Sequence, residues 1–107
     1  MVTETKNIDM LIEETLAVLK DRVVIKGAYL FGSYVDGSPE PDSDIDLAVY
    51  IPDIEKKNVL ERARMWASLR PLVPAPVELH LFPAKELENP CPSSLAGYII
   101  LHGRRVF

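Results

Sequence analysis

The sequence predicts an α/β domain in which a small mixed β-sheet is packed by helices. Three observations lead there. "DIDLAVYI" and "VELHLF" alternate apolar and polar residues with the period of a strand. Ile8, Leu11, Ile12, Leu16 and Leu19 recur at helical spacing instead. The connections between strands are of two kinds, one too short for a parallel crossover and one long enough to hold a helix.

In chain order, residues 7–21 read as an amphipathic helix, with Thr5 or Asn7 available as its N-cap. "VVIKGAYLF" follows, rich in β-branched and aromatic residues, and reads as a strand that stops at Gly32. In "DIDLAVYI", Ile45, Leu47, Val49 and Ile51 take one face, and Asp44, Asp46, Ala48 and Tyr50 take the other. Pro52-Asp53 opens a second helix with Asp53 as N-cap, Val59, Leu60, Ala63, Trp66 and Ala67 as its apolar stripe, and Pro71 just past its end. "PLVPAP" holds too many prolines for a central strand and is a stiff connector. "VELHLF" sets Val77, Leu79 and Leu81 against Glu78, His80 and Phe82. A last helix runs from Ser93 or Ser94 to His102, capped by Gly103, and "RRVF" adds a short edge strand. Trp66 and Tyr98, among apolar neighbours at helical spacing, read as core.

With 107 residues, the chain reads as a single domain spanning 1–107, large enough to bury a core. It is 48% hydrophobic and 26% charged, which is globular composition rather than disorder. A net charge of −4 excludes a broad nucleic-acid surface, which needs clustered Lys and Arg, but not a single nucleotide handled through metal ions. Cys91 is the one cysteine, so neither an internal disulfide nor a cysteine-based zinc site is available, and it reads as an inert loop thiol. "MVTETKNIDM" lacks the basic and apolar regions of a signal peptide, and the expected location is the cytoplasm.

"FGSYVDGSPEPDSDIDLAVY" concentrates the chemistry. Asp36, Glu40, Asp42, Asp44 and Asp46 place five carboxylates within eleven positions, with no Lys or Arg between Lys26 and Lys56. Ten residues separate Ser33 from Asp44, too few for a parallel crossover, so the first two strands should be antiparallel, bringing Gly32-Ser33 beside Asp44. Between Ile51 and Val77 there is room for a helix, so the third strand should run parallel to the second. Glu78 then joins Asp44 and Asp46 at one end of the sheet, if the two polar faces coincide. Such carboxylates repel unless protonated, paired or bound to metal, and hard oxygen donors beside phosphate suit Mg²⁺, one ion or two. Gly32 would admit a phosphate close to the backbone, and Ser33 would add a hydroxyl and an N–H. Asp36, Glu40 and Asp42 read as solvated turn residues. His80, on the face of Glu78, reads as a surface or packed histidine rather than a base.

Gly32-Ser33, ten residues, then Asp44-Ile45-Asp46 resembles the GS-x10-DxD signature of the DNA polymerase beta-like nucleotidyltransferase superfamily. Length and the surrounding residues look most like its minimal nucleotidyltransferase branch. The resemblance implies the nucleotidyltransferase fold, with Asp44 and Asp46 as Mg²⁺ ligands and Gly32 and Ser33 holding the triphosphate of ATP. Glu78 falls where the family has a third carboxylate, commonly aspartate, which helps bind metal and activates the acceptor hydroxyl. Many relatives carry an arginine where this chain has Asp36. Members of the branch are often encoded beside a HEPN-domain protein, and some act as antitoxins that transfer AMP to a tyrosine of that HEPN toxin. The resemblance therefore implies a Mg²⁺-dependent enzyme with ATP as substrate and a HEPN-domain protein as partner.

Two other expectations stand beside it. One is a non-catalytic subunit of the same fold that neutralises or scaffolds a HEPN partner by binding. The other is a small-molecule nucleotidyltransferase completed by a partner chain or by a homo-oligomer, since the chain looks too short to carry its own acceptor-binding domain.

Overall fold

The computed structural model describes residues 4–32 and 44–107. Ser33, Asp36, Glu40 and Asp42 lie outside the described residues. The first helix, α1, spans Glu4–Lys20, so Thr5 and Asn7 fall inside it rather than at its cap. Its Ile12, Leu16 and Leu19 are buried, and Thr15, also buried, donates its hydroxyl to Leu11 O at 2.7 Å.

Strand β1, Gly27–Phe31, is shorter than the apolar run predicts. The N–H groups of Arg22 and Val23 both close onto Leu19 O, and the ladder starts only where Lys26 N–H reaches Tyr50 O at 2.9 Å. Beyond that point the partner strand β2, Ile45–Ile51, leaves the sheet at Pro52, so Val23–Ile25 have no partner strand among the described residues. β1 and β2 are antiparallel, with Phe31 opposite Asp46, and β2 and β3, Val77–Pro83, are parallel, with Asp46 opposite Glu78. A two-residue strand β4, Arg104–Arg105, completes the sheet against β1, in the order β3-β2-β1-β4. The short antiparallel link, the long parallel crossover and the terminal edge strand are as expected.

The second helix departs from expectation. Pro52–Lys56 form a single 3₁₀ turn, and the helix proper, α2, begins at Val59 and ends at Leu69. Asn58, not Asp53, caps it: Asn58 Oδ1 accepts from Glu61 N at 2.9 Å while Glu61 Oε1 accepts from Asn58 N at 3.0 Å. This reciprocal box satisfies two N–H groups at once, which a lone Asp53 cannot do. The later start turns the helix. Leu69 is buried and Met65 packs on the core, whereas Val59 (85% exposed), Leu60 (58%), Ala63, Trp66 and Ala67 face outward. Trp66 is nevertheless anchored by its indole N–H, which donates to Leu79 O at 2.9 Å.

The two faces of the sheet build two cores. On one, Ala28, Leu30, Ile45, Leu47, Val49, Ile51, Val77 and Leu79 pack against α1 and the end of α2. On the other, Tyr29, Ala48, Tyr50 and Phe82 pack beneath the last helix, α3, Leu95–His102. Ser94 caps α3 by accepting from Gly97 N at 3.0 Å, and Gly103 ends it, as predicted. Tyr50 is fully buried and donates its hydroxyl to Ala96 O at 2.7 Å, tying the centre of the sheet to the first turn of α3. Tyr98 of the same helix is 53% exposed and is not core. No helix among the described residues is long and apolar enough to cross a membrane.

Leu47→Ala should therefore lower stability by about 2–5 kcal/mol, while Leu60→Ala should change it by less than about 0.5 kcal/mol, both read from urea unfolding. Burial, reinforced by the Tyr29 phenol, pushes the Tyr50 hydroxyl above its ordinary titration range. The unfolded chain releases that proton near pH ~10, whereas the folded chain keeps it. Tyr50 thus contributes its stability in full below that pH and loses it as the pH rises further. Above about pH 10, wild-type stability should therefore fall more steeply with pH than that of Tyr50→Phe, read from urea unfolding.

Candidate active site

The polar half of the second face is assembled at the end of the sheet where β1 finishes. Gly32 follows Phe31 with a φ of +86°, in the left-handed region that glycine enters without strain. Its missing side chain matters as much as its backbone. A Cβ there would lie 2.5 Å from Asp46 Oδ2, so the glycine and the aspartate share one space. Asp46 reaches this point because it is opposite Phe31 in the β1–β2 ladder and points to the same side.

The β2–β3 register settles which faces coincide. Asp46 is paired with Glu78 and Ala48 with His80, and residues paired in a parallel ladder share a face. The assumption that the two acidic strand faces are the same face is correct. Glu78 is partly exposed beside Asp46. Asp44 is exposed, one residue ahead of β2 and in phase with Asp46. The structure thus brings Gly32, Asp46 and Glu78 together at one sheet end with Asp44 at its rim, and Ser33 falls outside the described residues.

His80 is part-exposed and packed, as read from the sequence, and it also touches Asp46. Its Nε2–H donates to Asp46 Oδ1 at 3.2 Å, and the Phe31 ring packs against the imidazole at a centroid distance of 4.9 Å and 66° between planes. Both partners are about one-third exposed (31% and 29%), so the contact stands at the surface of the site rather than in the core. Ala48, in register with His80, has only a methyl group, which leaves the ring room to lean toward Asp46 on the diagonal. The signal was present in the sequence: His80 has the parity of Glu78, and Ala48 is the small residue between Asp46 and Tyr50.

No Lys or Arg pairs with Asp44, Asp46 or Glu78 among the described residues, where the other ion pair is Arg104 with Asp9 at 4.0 Å. Nor, among those residues, does any group of three His, Cys, Asp or Glu side chains form a ready cage for a metal. The donor set still suits Mg²⁺. That ion is held through one or two carboxylates together with substrate phosphates rather than by an all-protein cage, and Asp46 and Glu78 are two hard oxygen donors in register. Cys91 is exposed and 3.1 Å from Ser93 Oγ, a hydrogen bond that lowers the thiol's pKa. It is remote in the chain from this cluster and contributes no ligand to it.

A second feature adjoins the site. Phe31 and Gly32 also form one wall of a recess whose other wall is α3, through Leu95, Tyr98, Ile99 and His102.

The family model described as Polymerase beta, Nucleotidyltransferase matches residues 13–107. No curated protein and no solved structure matches the chain.

Gly32→Ala should cost about 1–2 kcal/mol from the left-handed backbone alone, and more from the collision with Asp46. In an Asp46→Ala background the excess should vanish, leaving only the backbone part. Urea unfolding of the four proteins in that double-mutant cycle reads the difference.

Proposed function

The chain belongs to the polymerase beta nucleotidyltransferase family, and on that premise we propose that it transfers AMP from ATP to a hydroxyl group, with Mg²⁺, the acceptor being a tyrosine of a HEPN-domain partner that the reaction silences. The fold is the nucleotidyltransferase fold, and transfer of a nucleotidyl group is what the family model describes. The observation that carries the reading to particular residues is the register that sets Glu78 beside Asp46, next to a glycine turn with no side chain.

Asp44, Asp46 and Glu78 would hold the metal, which when bound neutralises phosphate charge. The chain's own residues supply position. Gly32 leaves the phosphates access to the backbone at the end of β1, and Ser33 would add a hydroxyl there. His80 holds one oxygen of Asp46 and leaves the other facing Gly32. Glu78, on the β3 side of Asp46, would accept the proton of the attacking hydroxyl. The hydroxyl oxygen then bonds to the α-phosphorus, the bond to the bridging oxygen breaks, and pyrophosphate leaves in line. No covalent enzyme intermediate is needed, and electrostatic positioning supplies the rate.

The HEPN partner and the antitoxin role rest on the resemblance of "FGSYVDGSPEPDSDIDLAVY" to the minimal nucleotidyltransferase branch. A second reading is favoured by one contact: His80 already engages Asp46 Oδ1, as a fold retained for binding alone could allow. Labelled ATP, Mg²⁺ and a HEPN-domain protein encoded beside this chain distinguish the two. Transfer predicts Mg²⁺-dependent label on a tyrosine of the partner, abolished by EDTA. In the double variant Asp44→Asn, Asp46→Asn it should fall by at least ~100-fold while the unfolding midpoint is kept, because charge stabilisation is the dominant catalytic contribution. A tight complex without label would support the binding subunit, and undiminished labelling by the double variant would remove the site assignment.

A further inference from the structure

We propose that the recess between the end of β1 and α3 binds the base of the nucleotide, by stacking. The inference rests on the nucleotidyl-transfer reading and adds to it the place where the nucleoside lies.

Continuity is the first argument. Phe31 and Gly32 belong both to the carboxylate site and to the recess, so a ligand whose phosphates meet the Gly32 backbone has an apolar surface beside it here. The recess itself encloses about 120 Å³ and opens to solvent at its mouth, so it would take one planar ring system and not a whole nucleotide.

The walls supply the second. Leu95 and Tyr98 are large and more than half exposed (57% and 53%), on the α3 face that borders Gly32. The rings of Tyr98 and His102 lie 4.4 Å apart and 38° from parallel, making a two-ring slab with Phe31 on the opposite strand end. A planar, weakly polar ring system is the ligand that such a slot covers best, since stacking on aromatic faces needs no precise polar match.

The third argument separates the base from the acceptor. Sheet order runs β3-β2-β1, so Asp46 stands between Glu78 on one side and Gly32 on the other. In-line displacement sets the attacking hydroxyl opposite the leaving pyrophosphate, and the nucleoside, bonded through its 5′ oxygen, takes neither of those two directions. With the acceptor beside Glu78 on the β3 side, the recess on the β1 side is left to the nucleoside.

The test measures calorimetric binding of Mg²⁺·ATP and of Mg²⁺·tripolyphosphate to the full chain, to Tyr98→Ala and to Tyr98→Phe. Tripolyphosphate reports the phosphate site alone and confirms that each variant is folded. The expected result is that wild type binds ATP more tightly than tripolyphosphate, that Tyr98→Ala weakens ATP about tenfold, and that Tyr98→Phe restores it. Tripolyphosphate binding should be the same in all three proteins. If ATP binding survives Tyr98→Ala unchanged, or if wild type binds the two ligands equally, the base lies elsewhere and nucleotidyl transfer still stands. If wild type binds neither ligand, the transfer reading fails and this inference falls with it.

Discussion

Everything in this molecule depends on the alignment of one strand. β2 lies between β1 and β3, and from Leu47 to Ile51 its residues have no solvent exposure. A strand presents its residues alternately to the two faces, so a slip of one position would drive Asp46 into the apolar core and Leu47 out of it. The burial of Leu47, Val49 and Ile51 therefore fixes the direction of Asp46, without any polar interaction having to do so. The same alignment brings Phe31 and Gly32 to Asp46 from one side and Glu78 from the other. The hydrophobic effect is non-directional, yet through the pleat it aims a carboxylate.

Charge is then the local problem. Two carboxylates in register and a third at the rim, with no lysine or arginine paired to them among the described residues, make a site that favours a cation. His80 partly answers it by donating to one oxygen of Asp46, and the neighbouring Phe31 ring confines the imidazole. Because that contact is about one-third exposed, water reaches it, and its strength is modest compared with a buried pair. The arrangement holds the aspartate in one orientation while leaving it available to a ligand.

Much of this is legible in the sequence, and the reasons for the remainder are physical. Strand directions followed from connection lengths, because ten residues cannot make a parallel crossover. That Asp46 and Glu78 share a face did not follow, since parity within each strand says nothing about registry between strands. α2 shows a different limit. Asn58 and Glu61 spell a capping box in the sequence, but Pro52-Asp53 also looks like a helix start, and only packing decides between them. The later start rotates Val59, Leu60 and Trp66 outward, although their spacing suits a core stripe. Tyr98 likewise has core-like neighbours and an exposed ring, because the short α3 buries Ala96 and Ile99 instead. His80 reads as a surface or packed histidine and is one, and its parity puts it on the Glu78 face, but its diagonal contact with Asp46 needs the registry between strands as well.

The edges of the sheet carry a consequence of their own. At one side β4 is only two residues long, and both are exposed arginines. At the other, the Trp66 indole already takes the Leu79 carbonyl of β3, and Pro83 at the strand's end has no N–H to give. A sheet is extended by a foreign strand only where a flat, unpaired run of backbone groups is free, and short, charged or covered edges deny it that template. At Leu79 and along β4, a foreign strand therefore meets side chains where it would need free backbone groups. Both features weigh against edge-to-edge aggregation of so small a domain.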